Sequence, residues 1–277
     1  LAVAQVADSV SKRQELKIVR CNGQGEIKAQ NIIRHTDYPY YGISAQYNSL
    51  DRIHDNLFAL VTTRWVGGIQ SGSCIITIDS NGIQQKMLDI LEPIQYAPDS
   101  MSYLNSLKYD GLGSLIVVGN DGSTLWDSSK HLLMKFDTAL NLVWKKKYRL
   151  SGFLNNKGAL DLKIKNNTYF IFGGAYSFGF PWYDTSFKIQ SLIFATDSAG
   201  NEQWHYSSPI KWMYDCEAPI SSGIPTMDGG YLYLTTGNVY DFFPTAPATD
   251  PMGKQKLIKL DASRNKVWEK VLEKSTS

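Results

Sequence analysis

The chain has no excess of charge of either sign, no long apolar run and no cysteine framework, and each absence removes a class of function. Its 28 basic and 26 acidic residues give a formal net charge of +2 with no long block of one sign. An electrostatic footprint for a phosphate backbone is therefore missing, and no nucleic-acid partner is expected. No stretch reaches the roughly 18 consecutive apolar residues that a spanning helix requires, so no membrane span is expected. The three cysteines, Cys21, Cys74 and Cys216, are far apart and form no CxxC, CxxCH or Cys/His zinc spacing. They leave room for one disulfide or for buried thiols. His35, His54, His131 and His205 make neither a triad nor a metal-ligand pattern. There is no P-loop, no nucleophile elbow and no GxGxxG opening a helix. No cofactor, metal or catalytic set is thus expected. Apolar periodicity of 3.6 residues is also absent, so helix should be scarce.

What is present is a repeat. Leu257–Glu273, LIKLDASRNKVWEKVLE, reads as two strands joined by a tight turn, and the same pattern returns in 132–148 and 192–206, with weaker copies at 75–87 and 16–30. The turn aspartates are Asp79, Asp137, Asp197 and Asp261, spaced by 58, 60 and 64 residues, and the last three are followed by Trp144, Trp204 and Trp268. A unit of about 60 residues is too long for leucine-rich or ankyrin repeats and fits one four-stranded propeller blade. Each unit opens with a second hairpin, as in 47–65, 106–120, 160–174 and 219–237, with Asp, Asn or Gly at the turn. Asp accepts from turn amides, and Gly or Asn tolerates the left-handed conformation. The Trp is expected to pack against the next blade.

The sequence thus predicts one all-β domain over 1–277, a β-propeller of four-stranded blades. The blades are a partial one at 1–33, with LAVAQVA adding a third strand to its hairpin, and four complete ones at 42–90, 101–149, 157–207 and 217–273. Five blades are expected; the alternative is part of a seven- or eight-bladed ring. The phrase DGGY…G…LIKLD…N…W, clearest in the last unit and a half, resembles the repeat of secreted bacterial propellers of the quinoprotein-alcohol-dehydrogenase-like superfamily, with its PQQ-like repeats. The resemblance implies a propeller fold but no activity, since many relatives are noncatalytic and their adjacent-cysteine pair has no counterpart. Together with the start at Leu1-Ala2-Val3-Ala4, it sets the expectation of a secreted, periplasmic or cell-surface protein, or a part of a larger assembly.

In such a blade, the strand 1–2 and 3–4 turns emerge at one end; the strand 2–3 loops and the connections between blades emerge at the other. The first set is short and polar, while the second holds more than half of the aromatics in little more than a third of the chain. Loops are ordinarily poorer in aromatics than strands. Flat amphipathic rings stack on sugars and anchor protein interfaces, so Trp65, Trp126, Trp182, Tyr183, Trp212, Tyr214, Tyr240 and Phe242 are the candidate binding residues for a protein or glycan ligand. A local core among the loops would use the same side chains. The alternative function is a carbohydrate-active enzyme, a glycoside hydrolase or lyase, drawing two carboxylates from Asp37, Glu92, Asp99, Asp184, Asp215, Glu217, Asp241 and Asp250.

Overall fold

Five local turns set the frame, because one carboxylate or amide oxygen organises each of them. Asp79 Oδ1 accepts the amides of Asn81 and Ile83 at 2.8 and 2.9 Å. Asp197 Oδ1 does the same for Ala199 and Asn201, and Asp137 and Asp261 accept the amides of Asn141 and Asn265. Asn22 Oδ1 repeats the bond pattern with Gln24 and Glu26. The fourth turn position is left-handed throughout, at Gly25, Gly82, Leu140, Gly200 and Arg264, with φ between 67° and 83°.

In a computed structural model of the chain, the described residues are 2–7, 14–33, 41–66, 69–90, 101–122, 130–150, 155–177, 188–209, 211–212, 220–235 and 255–272. They contain no helix, as the missing 3.6-residue period predicts. The first sheet holds β1 (Ala2–Ala7), β2 (Gln14–Cys21) and β3 (Ile27–Ile33). The second holds β4 (Tyr41–His54), β5 (Leu57–Val66), β6 (Ile69–Asp79) and β7 (Gln84–Ile90). The third holds β8 (Met101–Tyr109), β9 (Ser114–Gly122), β10 (Lys130–Asp137) and β11 (Leu142–Tyr148). The fourth holds β12 (Asn155–Lys165), β13 (Thr168–Ser177), β14 (Lys188–Thr196) and β15 (Glu202–Ser207), with β16 (Lys211–Trp212) beside β14. The last holds β17 (Ile220–Pro225), β18 (Tyr231–Thr235), β19 (Gln255–Leu260) and β20 (Lys266–Leu272). Strand order follows chain order in every sheet, so the fold class is all-β with five successive antiparallel sheets of the propeller-blade type.

The chain forms two compact units, residues 1–124 with 132–146, and residues 125–131 with 147–277. In the first, the second sheet is buried on both faces, which explains its near-continuous apolar strands. Leu60, Cys74, Ile76 and Ile78 meet Leu16, Ile18 and Ile33 of the first sheet. The alternating set Ala59, Val61 and Ile75 meets Leu104, Leu107, Leu115 and Val117 of the third. In the second unit, Phe172 and Ile193 pack on Tyr231, Tyr233, Ile258 and Leu260 of the next sheet. Neither Cys21 nor Cys74 is in a disulfide; Cys21 is exposed, and the buried Cys74 thiol lies 2.7 Å from Thr62 Oγ1. Cys216 lies outside the described residues.

The repeated tryptophans diverge. Trp204 packs as expected on the following sheet, with ring centroids 5.1 Å from Tyr231 and 6.3 Å from Phe170 of its own sheet. Arg264, from the last turn, stands 4.9 Å over the Trp204 ring. Trp268, at the same place in the last repeat, is instead 43% exposed, because among the described residues no further sheet covers it.

Candidate functional site

Antiparallel strand order gives each sheet two chemically different ends. One carries the Asp turns and the turns of the first hairpins. There Asp110 Oδ1 accepts the amides of Leu112 and Ser114, Asp228 accepts from Lys259 at 2.7 Å, and the Leu112 and Met227 side chains are exposed. Bonds from Lys259, Thr226 and the Gly230 amide hold the Asp228 carboxyl well below its usual range. These groups are tied up in making turns.

The aromatic-rich connections read from the sequence lie mostly outside the described residues. The sequence places Trp65 in a loop over 63–73, but β5 and β6 run through that stretch, leaving only residues 67–68 between them. Trp65 therefore sits on β5, opposite Gly42 and Gln70, near the strand's end. Trp212, likewise expected in a loop, lies on β16, opposite Lys188 at the start of β14. The reason is the same in both cases: backbone amides at these ends find partners on a neighbouring strand, and that outweighs local turn signals. Of these two residues only the backbone is described. Trp126, Trp182, Tyr183, Tyr214, Tyr240 and Phe242 lie outside the described residues. So do the candidate carboxylates Asp37, Glu92, Asp99, Asp184, Asp215, Glu217, Asp241 and Asp250.

Two described carboxylates that the sequence did not single out act between sheets. Asp161 on β12 is fully buried; its Oδ2 accepts the Ser222 hydroxyl at 2.8 Å and the Gly223 amide at 3.1 Å, both on β17. Lys163 Nζ supplies the compensating charge at 3.0 Å. Asp51 on β4 accepts the Tyr109 amide of β8 at 2.7 Å in the same manner. Each joins the first strand of one sheet to the first strand of the next. Ser73 Oγ adds a further bond between sheets by accepting the Leu104 amide at 2.9 Å. The only sequence signal would have been a carboxylate inside an apolar strand, as in Leu160-Asp161-Leu162.

His131 is buried, its ring 5.6 Å from Phe194, and neither ring nitrogen has a hydrogen-bond partner among the described residues. Burial pushes its pKa down to about 4, so it is neutral near pH 7. Burial raises the Tyr148 phenol, which donates to the Gly200 carbonyl at 2.5 Å. His205 pairs with Glu202 on the surface at 2.7 Å, His54 lies beside a turn, and His35 is outside the described residues. Among the described residues no group of three His, Cys, Asp or Glu converges on a point.

No protein-family model matches the sequence, and no curated protein matches it. Among solved structures, uncomplexed Pyrococcus horikoshii acylaminoacyl peptidase matches 98% of this chain and 49% of its own at 11% identity, with a TM-score of 0.35. An acylaminoacyl peptidase in complex with Z-Gly-Gly-Phe-chloromethyl ketone matches the same share, with 50% of its own chain, 11% identity and a TM-score of 0.36. The chain spans about half the length of these structures' chains. A likeness of this size carries no conclusion about activity.

Proposed function

We propose that this chain is a non-enzymatic binding module of the extracytoplasmic, quinoprotein-alcohol-dehydrogenase-like propeller kind. It takes a protein or glycan ligand at the aromatic-rich ends of its sheets, through Trp65, Trp126, Trp182, Tyr183, Trp212, Tyr214, Tyr240 and Phe242. What supports this reading is that the strand 2–3 and inter-blade connections are rich in aromatics in the sequence, whereas the described Asp turns are polar and satisfy their own amides. Rings there offer large, rigid contact area at low entropic cost.

The test is a broad glycan array run in parallel with turnover assays on the same sugars, followed by capture from the native source. Binding without turnover supports the module. Turnover of any sugar overturns it in favour of a carbohydrate-active enzyme using the loop carboxylates. Silence on glycans with a captured protein assigns the protein arm, and silence in both overturns the reading.

A further inference from the structure

The sequence holds two Asn-Gly pairs, Asn22-Gly23 and Asn81-Gly82. In such a pair the side-chain amide is open to attack by the next main-chain nitrogen, because glycine puts no side chain in the way. Both pairs lie in tight turns of the same design, one between β2 and β3 and one between β6 and β7, but at different places. Asn22 and Gly23 are the first and second residues of their turn, whereas Asn81 and Gly82 are the third and fourth of theirs.

That place decides whether the attacking nitrogen is free. The Gly82 amide donates to the Asp79 carbonyl at 2.9 Å, as the Leu140, Gly200 and Arg264 amides do at the same position of their turns. Gly82 is also hemmed in, since a Cβ there would lie 2.7 Å from Ile18 Cγ2. Asn31 and Arg20 hold Asn81 itself, donating to its carbonyl at 2.6 Å and to its Oδ1 at 2.8 Å. The Gly23 amide, by contrast, makes no hydrogen bond among the described residues, and a Cβ built on Gly23 meets nothing within 4 Å. The carbonyl it would attack is already polarised. Asn22 Oδ1 accepts the amides of Gln24 and Glu26, both at 3.0 Å, and two such donors stabilise negative charge developing on an oxygen.

We infer that Asn22 is a site of spontaneous deamidation in the folded chain, and that the carboxylate formed there breaks the turn's link to Glu26. The Gly23 nitrogen gives up its proton and bonds to Asn22 Cγ; the Cγ–Nδ2 bond breaks, and ammonia leaves with that proton. One water then opens the cyclic imide, at Cγ to give aspartate or at the main-chain carbonyl to give isoaspartate. Nothing is oxidised or reduced, and water is the only co-reactant. An aspartate at this place keeps both turn amides, as Asp79 and Asp197 keep theirs. It loses the bond from Nδ2 to Glu26 Oε2, now 2.8 Å. Where the turn begins with Asp137, Asp197 or Asp261, the residue four places on is an asparagine that donates to the carboxylate. Here it is Glu26, so deamidation sets two like charges face to face.

The test is to age the full chain at mildly alkaline pH and read the peptides around Asn22 and Asn81 by mass spectrometry. Asn22 should convert at least about tenfold faster than Asn81 in the folded chain, and the two rates should draw together in urea, where only the shared sequence remains. Gly23→Ala should slow Asn22 about tenfold and leave the unfolding midpoint unchanged, because the site has room for the methyl group. Asn22→Asp should lower the midpoint, and adding Glu26→Asn, which rebuilds the pairing of the other turns, should recover it. Equal folded-state rates, faster loss at Asn81, a rate difference that persists in urea, or an Asn22 rate indifferent to Gly23→Ala would each overturn the site. An unchanged midpoint for Asn22→Asp, or no recovery in the double variant, would overturn the clash with Glu26.

Discussion

Asp161 and Gly223 lie on separate sheets, and the buried carboxylate accepts the glycine amide at 3.1 Å. Removing the acceptor would leave Gly223 N–H, Ser222 and Lys163 without their anion in a water-poor seam. Asp161→Ala should destabilise the chain by about 3 kcal/mol, the range for breaking a buried charged pair. Asp161→Asn, which keeps one acceptor oxygen, should lose less. Urea unfolding checks both, and a change below about 0.5 kcal/mol for the alanine variant would contradict the latch.

Gly223 also stands where two sheets approach closely. A Cβ there would lie 2.3 Å from Phe172 Cδ1, and the Phe172 ring is buried. Gly223→Ala should cost about 1–3 kcal/mol through overpacking. Adding Phe172→Leu should recover part of that loss, so a double-mutant cycle in the same unfolding assay should show favourable coupling between the two changes. Strict additivity would mean the clash is relieved elsewhere.

Gly25 and Gly82 occupy equivalent left-handed positions, at φ 83° and 80°, but different surroundings. A Cβ on Gly25 meets nothing within 4 Å, whereas one on Gly82 comes 2.7 Å from Ile18 Cγ2. Gly25→Ala should cost about 1 kcal/mol, the conformational penalty alone. Gly82→Ala should cost about 1–3 kcal/mol more, because the first and second sheets must separate. Equal losses in thermal unfolding would contradict the packing assigned to Ile18.

His131 gives the fold an acid-side weakness. Its folded pKa of about 4 lies below the ordinary 6.5, so the unfolded chain binds the proton first. The stability it allows is fully present above pH 6.5 and falls as pH drops towards 4, by about 3 kcal/mol in total. His131→Leu should flatten this part of the stability–pH curve. An unchanged slope between pH 6.5 and 4 would contradict the buried neutral ring.

The turn frame is legible in the sequence because its chemistry is local. An Asp, a left-handed position three residues on and an amide four residues on fall within one pentapeptide, so Asp79, Asp197 and Asp261 can be read from spacing. Relations across sheets are not legible. The partners of Asp51 and Asp161 lie some 60 residues away, at Tyr109 and Gly223, and nothing near either carboxylate announces them. Trp204 and Trp268 look alike in sequence, yet one packs on Tyr231 and the other is exposed, because only the first has a described sheet beyond it to pack against. Trp65 and Trp212 read as loop residues from their places between the repeated hairpins. Strand pairing, which depends on distant chain, puts both on strands.

A ligand taken at the aromatic end of the sheets, and not at the turn end, should be sensitive to changes at the first and indifferent to changes at the second. The direct measurement is affinity for the ligand found by array or capture, compared between two pairs of variants. Trp182→Ala and Trp212→Ala should each weaken binding about tenfold or more, roughly 1.4 kcal/mol, with the unfolding midpoint unchanged. Leu112→Ala and Met227→Ala, which trim exposed apolar side chains at the turn end, should leave affinity as it was. Loss of binding in the second pair with the tryptophan variants intact would contradict the account.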